Sequence, residues 1–379
     1  MCAIGTTLTL LVGCGSPTNA PARTSAAEPE PPRLFRGVEL PSLVGSVENR
    51  SPQLPVVSPD GENLLYLRVD APAISAMTLW GSAEPADTPP EGTLSIWIRP
   101  LAGIDPGRRL SSRRWAHSPV WSPSGRAVAF VVNEPPFARI VHLDLSSGDE
   151  TLLGLAEAVH CQPRFDGDDR TLLFSAGPAG RGPFRVYRQR VGEGPPAPLT
   201  PQGRDCFMPL LVDDRGGVIC ASNLQGPPRW VRATLEGATD LTTAISGEGP
   251  EAVIGVCAGV AEPVSPDRRT FAYYDAVEGR VAVCDFAGRR TARHIRGSIA
   301  ACWIDPRILA VATPDNLFAV DAFSGVRVAL MSGAWVPARF VPASRTLIAF
   351  GLRGKGAAPT RLTIYRMVLE PVGAEPARS

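Results

Sequence analysis

The side chains best suited to chemistry fall on three short arms of this chain: His117, His160 with Cys161, and Asp205 with Cys206. Imidazole, thiolate and carboxylate are the ordinary ligands of zinc, so three such arms brought together would offer a metal or small-ligand site. The same residues allow a Cys161–Cys206 disulfide, closing a loop of about 45 residues and contributing about 3 to 4 kcal/mol through chain entropy. They also allow a plain polar funnel holding nothing. All three readings stay open at the level of sequence. Only four histidines occur in the 379 residues, so a multi-histidine centre is poorly supplied.

No familiar catalytic signature accompanies them. The sequence contains no G-x-S-x-G elbow, no P-loop and no H-E-x-x-H. No two cysteines form C-x-x-C, which disfavours a zinc ribbon or a thioredoxin-like redox site. No cofactor is therefore expected, and no metal is assigned. The formal net charge is +1, so no global field would gather nucleic acid or an anionic membrane surface. An apolar content of 44% is enough for a substantial core.

The first residues are read apart from the fold. "LVGC", Leu11 to Cys14, ends a short apolar stretch and resembles the lipobox of bacterial lipoproteins, although no Lys or Arg precedes it. That resemblance implies a signal peptide over residues 1–13 and lipid on Cys14, which would hold the protein at a membrane. Residues 14–33 are rich in Pro and Ala with little apolar content, and read as a disordered tether. Residues 371–379 read as a disordered tail. Export would place Cys161, Cys206, Cys220, Cys257, Cys284 and Cys302 in an oxidising compartment, where up to three disulfides are possible with no pairing fixed.

The arms sit in a repeat. A corner such as Ser-Pro-Asp-Gly, preceded by a short apolar arm and followed by an alternating apolar run, recurs around Ser58, Ser122, Asp166, Val212, Ser265, Ile304 and Val341. Successive corners lie 37 to 64 residues apart, near the length of a four-stranded propeller blade. Proline fixes φ, Asp or Ser bonds the turn backbone, and glycine takes positive φ where the chain reverses. Each corner is followed by further short runs of period two, such as "LSIWIRPL" and "NLFAVDAF", bounded by Gly, Pro and Asp. The pattern predicts antiparallel sheet throughout and no sustained helix. Trp121, Phe165, Trp303 and Phe340 precede four of the corners and are expected to pack between neighbouring units.

These residues resemble the TolB-type, WD-repeat-like β-propeller repeat. The resemblance implies an all-β fold, a single propeller over residues 34–370 with seven four-stranded blades, six or eight being alternatives. Residues 33–41 are expected to supply the outer strand of the last blade and so close the ring. A long insertion in the first blade carries Met77, Leu79 and Trp80, a candidate partner loop or an insertion folded onto its own blade. The function expected is that of a noncatalytic, lipid-anchored, monomeric propeller of the cell envelope, facing the periplasm or the cell surface. It would bind an envelope protein or polymer. The alternative is a hydrolase or lyase acting on polysaccharide or peptide at the channel mouth.

Overall fold

The computed structural model describes residues 34–38, 41–49, 53–69, 94–113, 115–178, 183–223, 226–243, 245, 260–286, 295–353 and 360–372. Cys14, the tether, the loop of Met77, Leu79 and Trp80, Cys257 and residues 373–379 lie outside these described residues. Among the described residues every regular element is a strand and none is a helix, as the period-two runs require.

The strands form antiparallel meanders in chain order. Val56–Val57, Asn63–Val69, Leu94–Pro100 and Arg108–Arg109 make the first sheet. An eight-stranded sheet follows, in which two four-stranded meanders meet at a single parallel pair, Val159 with Ala138. Cys206–Val212, Val218–Ser222, Arg229–Ala233 and Ala238–Asp240 form the next sheet. Two more begin at Thr270–Asp275 and Ala300–Trp303. In the last sheet Trp335–Val341, Thr346–Arg353 and Thr360–Pro371 are joined by strands from the other end of the chain. Phe35–Gly37 and Ser42–Asn49 both pair antiparallel with Thr360–Pro371, Phe35 opposite Pro371 and Asn49 opposite Thr360. Outer-strand closure therefore takes place as the sequence suggested, and it extends past residue 41 into a second, longer strand.

Buried clusters lie between consecutive sheets rather than in one central mass. Leu65, Ile96, Trp121 and Phe130 join the first sheet to the meander after it. Val47, Leu64, Tyr66, Ile348, Phe350 and Ile364 join the last sheet back to the first. A ring of wedge-shaped interfaces of this kind is the packing of a β-propeller.

The corners explain the regularity. Ser58 N–H donates to Asn63 O at 2.9 Å, while Ser58 Oγ accepts from Asn63 N at 2.9 Å and donates to Asp60 at 2.5 Å. Ser122 and Ser265 repeat the arrangement, accepting from Ala127 N at 3.0 Å and Thr270 N at 3.1 Å. Gly61 takes φ 76°, and a Cβ there would lie 2.6 Å from Val341 Cγ2 of the closing sheet, so positive φ and close approach both require glycine. The bulky residues before the corners bridge adjacent units. Trp121 Nε1–H donates to Val56 O at 3.0 Å, and Trp303 Nε1–H to Pro263 O at 3.0 Å. Their rings fill the interfaces and their N–H groups are satisfied by the inner strand of the preceding unit, which is the core role expected of them.

Candidate functional site

The first strands of the meanders beginning at Val56, Ala116, Val159, Cys206 and Trp335, with the arm Val260–Val264, line a central cavity of about 450 Å³. Its walls are mainly apolar: Leu54, Val120, Leu210, Val336 and Phe350 contribute, with prolines at 55, 119, 163, 209, 263 and 337. Size and lining fall within the usual range for small-ligand pockets.

Three of these strands are bent by one device. Ser118, Gln162 and Met208 have φ of 52°, 55° and 52°, each stands immediately before a proline, and at each the ladder register shifts. A proline supplies no N–H to the ladder, and a non-glycine residue in the left-handed region costs of order 1 to 3 kcal/mol, so such a bulge persists only where neighbours hold it. At Ser118 and Met208 side-chain amides from the preceding unit do so. Gln53 Oε1 accepts from Ser118 N at 3.1 Å, and Gln162 Oε1 accepts from Met208 N at 2.8 Å. Gln53 Nε2 also donates to Ser118 Oγ at 3.0 Å. Two of the three bulges are thus braced by the unit before them, with their backbone held in a strained form.

The sequence-derived residues stand around this rim but are not gathered at one point. His117 is 3% exposed, with Nδ1 2.9 Å from Ser118 Oγ and Nε2 3.2 Å from Asn133 Oδ1. Burial lowers its pKa from 6.5 to about 4, so the ring is neutral and both nitrogens are occupied. His160 is also buried. Its Nδ1–H donates to Ala138 O at 2.5 Å, and its Nε2 accepts from Leu155 N at 2.8 Å. A Cβ on Gly154 would lie 2.2 Å from His160 Nε2, so the ring is wedged as well as bonded. Burial lowers the His160 pKa.

Cys161 and Cys206 are free thiols. Burial, then the charge of Asp205, raises the Cys161 thiol to about 12, and its Sγ lies 3.7 Å from Gln162 Oε1. Cys206 turns instead to Cys220. The two thiols share a hydrogen bond within an apolar cluster that includes Val186 and Val231, and that bond followed by burial holds Cys220 well above the ordinary thiol value. Asp205 Oδ1 accepts from Phe184 N at 2.8 Å, and burial raises its carboxyl pKa. No group of three or more His, Cys, Asp or Glu residues placed to hold a metal occurs among the described residues.

The charged residues of the cavity went unnoticed in the sequence. Arg164 follows the bulge at Gln162, Glu262 stands on the arm Val260–Val264, and Arg339 on the strand Trp335–Val341. Arg339 forms an ion pair with Glu262. The x-Pro dipeptides four and three residues before the corners at Ser122, Asp166 and Val212 were the available signal for the bulges. Nothing local marked the Glu262 and Arg339 pairing.

No family model matches the sequence, and no curated protein matches it. Solved structures do share the architecture. An oligogalacturonate lyase in complex with manganese superposes with a TM-score of 0.54 at 13% identity, over 88% of this chain and 98% of that one. The β-propeller domain of the Trilobed protease from Pyrococcus furiosus gives 0.51 at 13% identity, over 89% and 100%. TolB from Acinetobacter baumannii gives 0.39 at 16% identity, over 83% of this chain and 66% of its own, just under two thirds of its length. The neighbours thus include TolB proteins and other propellers. At such identities the likeness is one of fold, and the lyase and the protease domain carry it.

Proposed function

We infer that this β-propeller is a noncatalytic binding module of the bacterial cell envelope that receives its ligand at the central channel. One observation carries the inference: the channel is lined by strained, braced inner strands around a preformed cavity, while both histidines of those strands have their ring nitrogens occupied by internal hydrogen bonds. A general base must reach the proton it removes, and neither imidazole has a free nitrogen with which to do so. A rigid, largely apolar cavity instead favours recognition by shape.

Seven blades are the count this reading adopts. The buried clusters separate consecutive meanders once each around the ring, and the N-terminal strands complete the last. The envelope setting rests on the Leu11-Val12-Gly13-Cys14 motif, with residues 14–33 as the tether between lipid and propeller. The propeller is taken to be a monomer whose partner is an envelope protein or polymer, with the segment of Met77, Leu79 and Trp80 as a second contact. A net charge of +1 favours neither nucleic acid nor a charged surface as partner.

The setting is tested by intact mass and cell fractionation of the full chain beside Cys14→Ala. The wild type is expected to carry acyl chains and sediment with membranes, and the variant to be unmodified and soluble. Two soluble, unmodified proteins would remove the anchor and with it the envelope assignment.

A further inference from the structure

The charged side chains that line the cavity are two arginines, Arg164 and Arg339, and a single carboxylate, Glu262. Arg164, on Val159–Phe165, lines the cavity and makes no hydrogen bond or ion pair among the described residues. It is enclosed by protein yet keeps accessible surface, as a group does that faces an internal void. Its electrostatic surroundings are Glu262, Arg268, Arg339 and Asp166. These four are already matched among themselves, Glu262 by Arg339, and Asp166 by Arg268 at 3.1 Å. Among the described residues of this group Arg164 is the charge left unpaired.

Two residues away, Gln162 has its orientation fixed by the backbone N–H of Met208, which only Oε1 can accept. Its Nε2 therefore points elsewhere, with no bond among the described residues. A guanidinium fork and an amide NH₂ from one strand, with both carboxylates around the guanidinium, Glu262 and Asp166, already paired, suit an anionic acceptor. The apolar and proline-rich wall around them suits a ligand whose remainder is hydrocarbon rather than polyhydroxylated.

We propose that Arg164 and Gln162 form a carboxylate-binding site in the central channel, taking a carboxylate carried on a short apolar body. The proposal rests on the reading of the channel as the ligand site and adds the chemistry of that ligand. Arginine meets carboxylate in a bidentate geometry that neither an amide nor an alcohol reproduces.

The test is calorimetric titration of the whole protein with N-acetyl-leucyl-leucine and with octanoate, each beside its primary amide. The first pair represents a peptide terminus and the second an acyl chain. At least one acid is expected to bind at or below about 1 mM, with its amide weaker by about 10- to 100-fold. Arg164→Met is expected to abolish the acid's advantage, and Arg164→Lys to retain part of it. Without ligand, Arg164→Met should also raise Tm by about 2–4 °C, because an unmatched enclosed cation is replaced by an apolar group of similar length. That rise keeps the test valid against a folding defect. Acid and amide binding equally would overturn the carboxylate site and leave the channel reading intact. Failure of both acids to bind, or an unaltered preference in Arg164→Met, would also overturn it.

Discussion

Arg99→Met is expected to lower the free energy of unfolding by about 3 kcal/mol, more than any substitution of an exposed charge in this chain. Arg99 is 3% exposed and lies where the N-terminal strand crosses the first sheet. Its Nη1 donates to Ser46 O at 2.7 Å, its Nη2 to Gly103 O at 2.7 Å and Leu101 O at 3.4 Å, and its Nε to Pro100 O at 3.0 Å. One guanidinium thus satisfies carbonyls from both chain segments. Gly45 makes the approach possible, since a Cβ there would stand 2.7 Å from Gly103 O and 2.9 Å from Leu101 O. Methionine preserves the bulk and removes every donor, leaving the carbonyls unsatisfied. Urea unfolding of wild type and variant measures the loss. A change below about 0.5 kcal/mol, the size expected of an ordinary surface substitution, would mean that the closing strand is not held by this residue.

Acid should act on the propeller through His117. The folded-state value near 4 lies below the ordinary 6.5, so the unfolded chain takes up the proton first. The stabilisation is therefore complete above pH 6.5 and is lost progressively as pH falls toward 4. The interval between those values corresponds to about 3 kcal/mol. His117→Gln retains a donor and an acceptor beside Ser118 and Asn133 but does not titrate. Wild type should lose about 2–3 kcal/mol more than this variant between pH 7 and pH 4. His160, whose value burial also lowers, remains in both proteins and cancels in the comparison. Identical pH dependence of wild type and His117→Gln would contradict the occupied, buried environment assigned to His117.

Much of the architecture was legible because it is encoded locally and repeated. The Ser-Pro corners, the period-two runs and the bulky residue before each corner all act within about a dozen residues, and the structure uses Ser58, Ser122, Trp121 and Trp303 as their types suggest. Closure was legible as a missing outer strand, though its extent was not, because Ser42–Asn49 is also contacted by Arg99 and Gly103, residues distant in sequence. The fifth corner, at Ser265, reads like the others. Among the described residues its arm nevertheless pairs through isolated bridges, Val260 with Ala301 and Val264 with Phe271, rather than through a continuous ladder.

The site was harder to read. His160 has the residue type of a ligand, and only the positions of Ala138 O and Leu155 N show that both nitrogens are used. Cys206 likewise had several possible neighbours, and the hairpin places Cys220 against it rather than Cys161. Glu262 and Arg339 meet across the channel from distant parts of the chain, and no spacing rule connects them. Arg164 is one arginine among many in sequence. Its distinction is the absence of a partner among the described residues, which becomes visible only when the strands are assembled.

The channel is tested most directly by photocrosslinking in native membranes. A benzoylphenylalanine is placed in the full-length protein at Leu54, which lines the cavity and is 41% exposed, or at Leu152 on the strand Glu150–Leu153, 43% exposed and outside the cavity lining. Similar exposure makes the two positions comparable probes. Channel binding predicts a discrete adduct in the mass spectrum from Leu54 and none from Leu152. An adduct from Leu152 alone, or equal adducts from both, would contradict it.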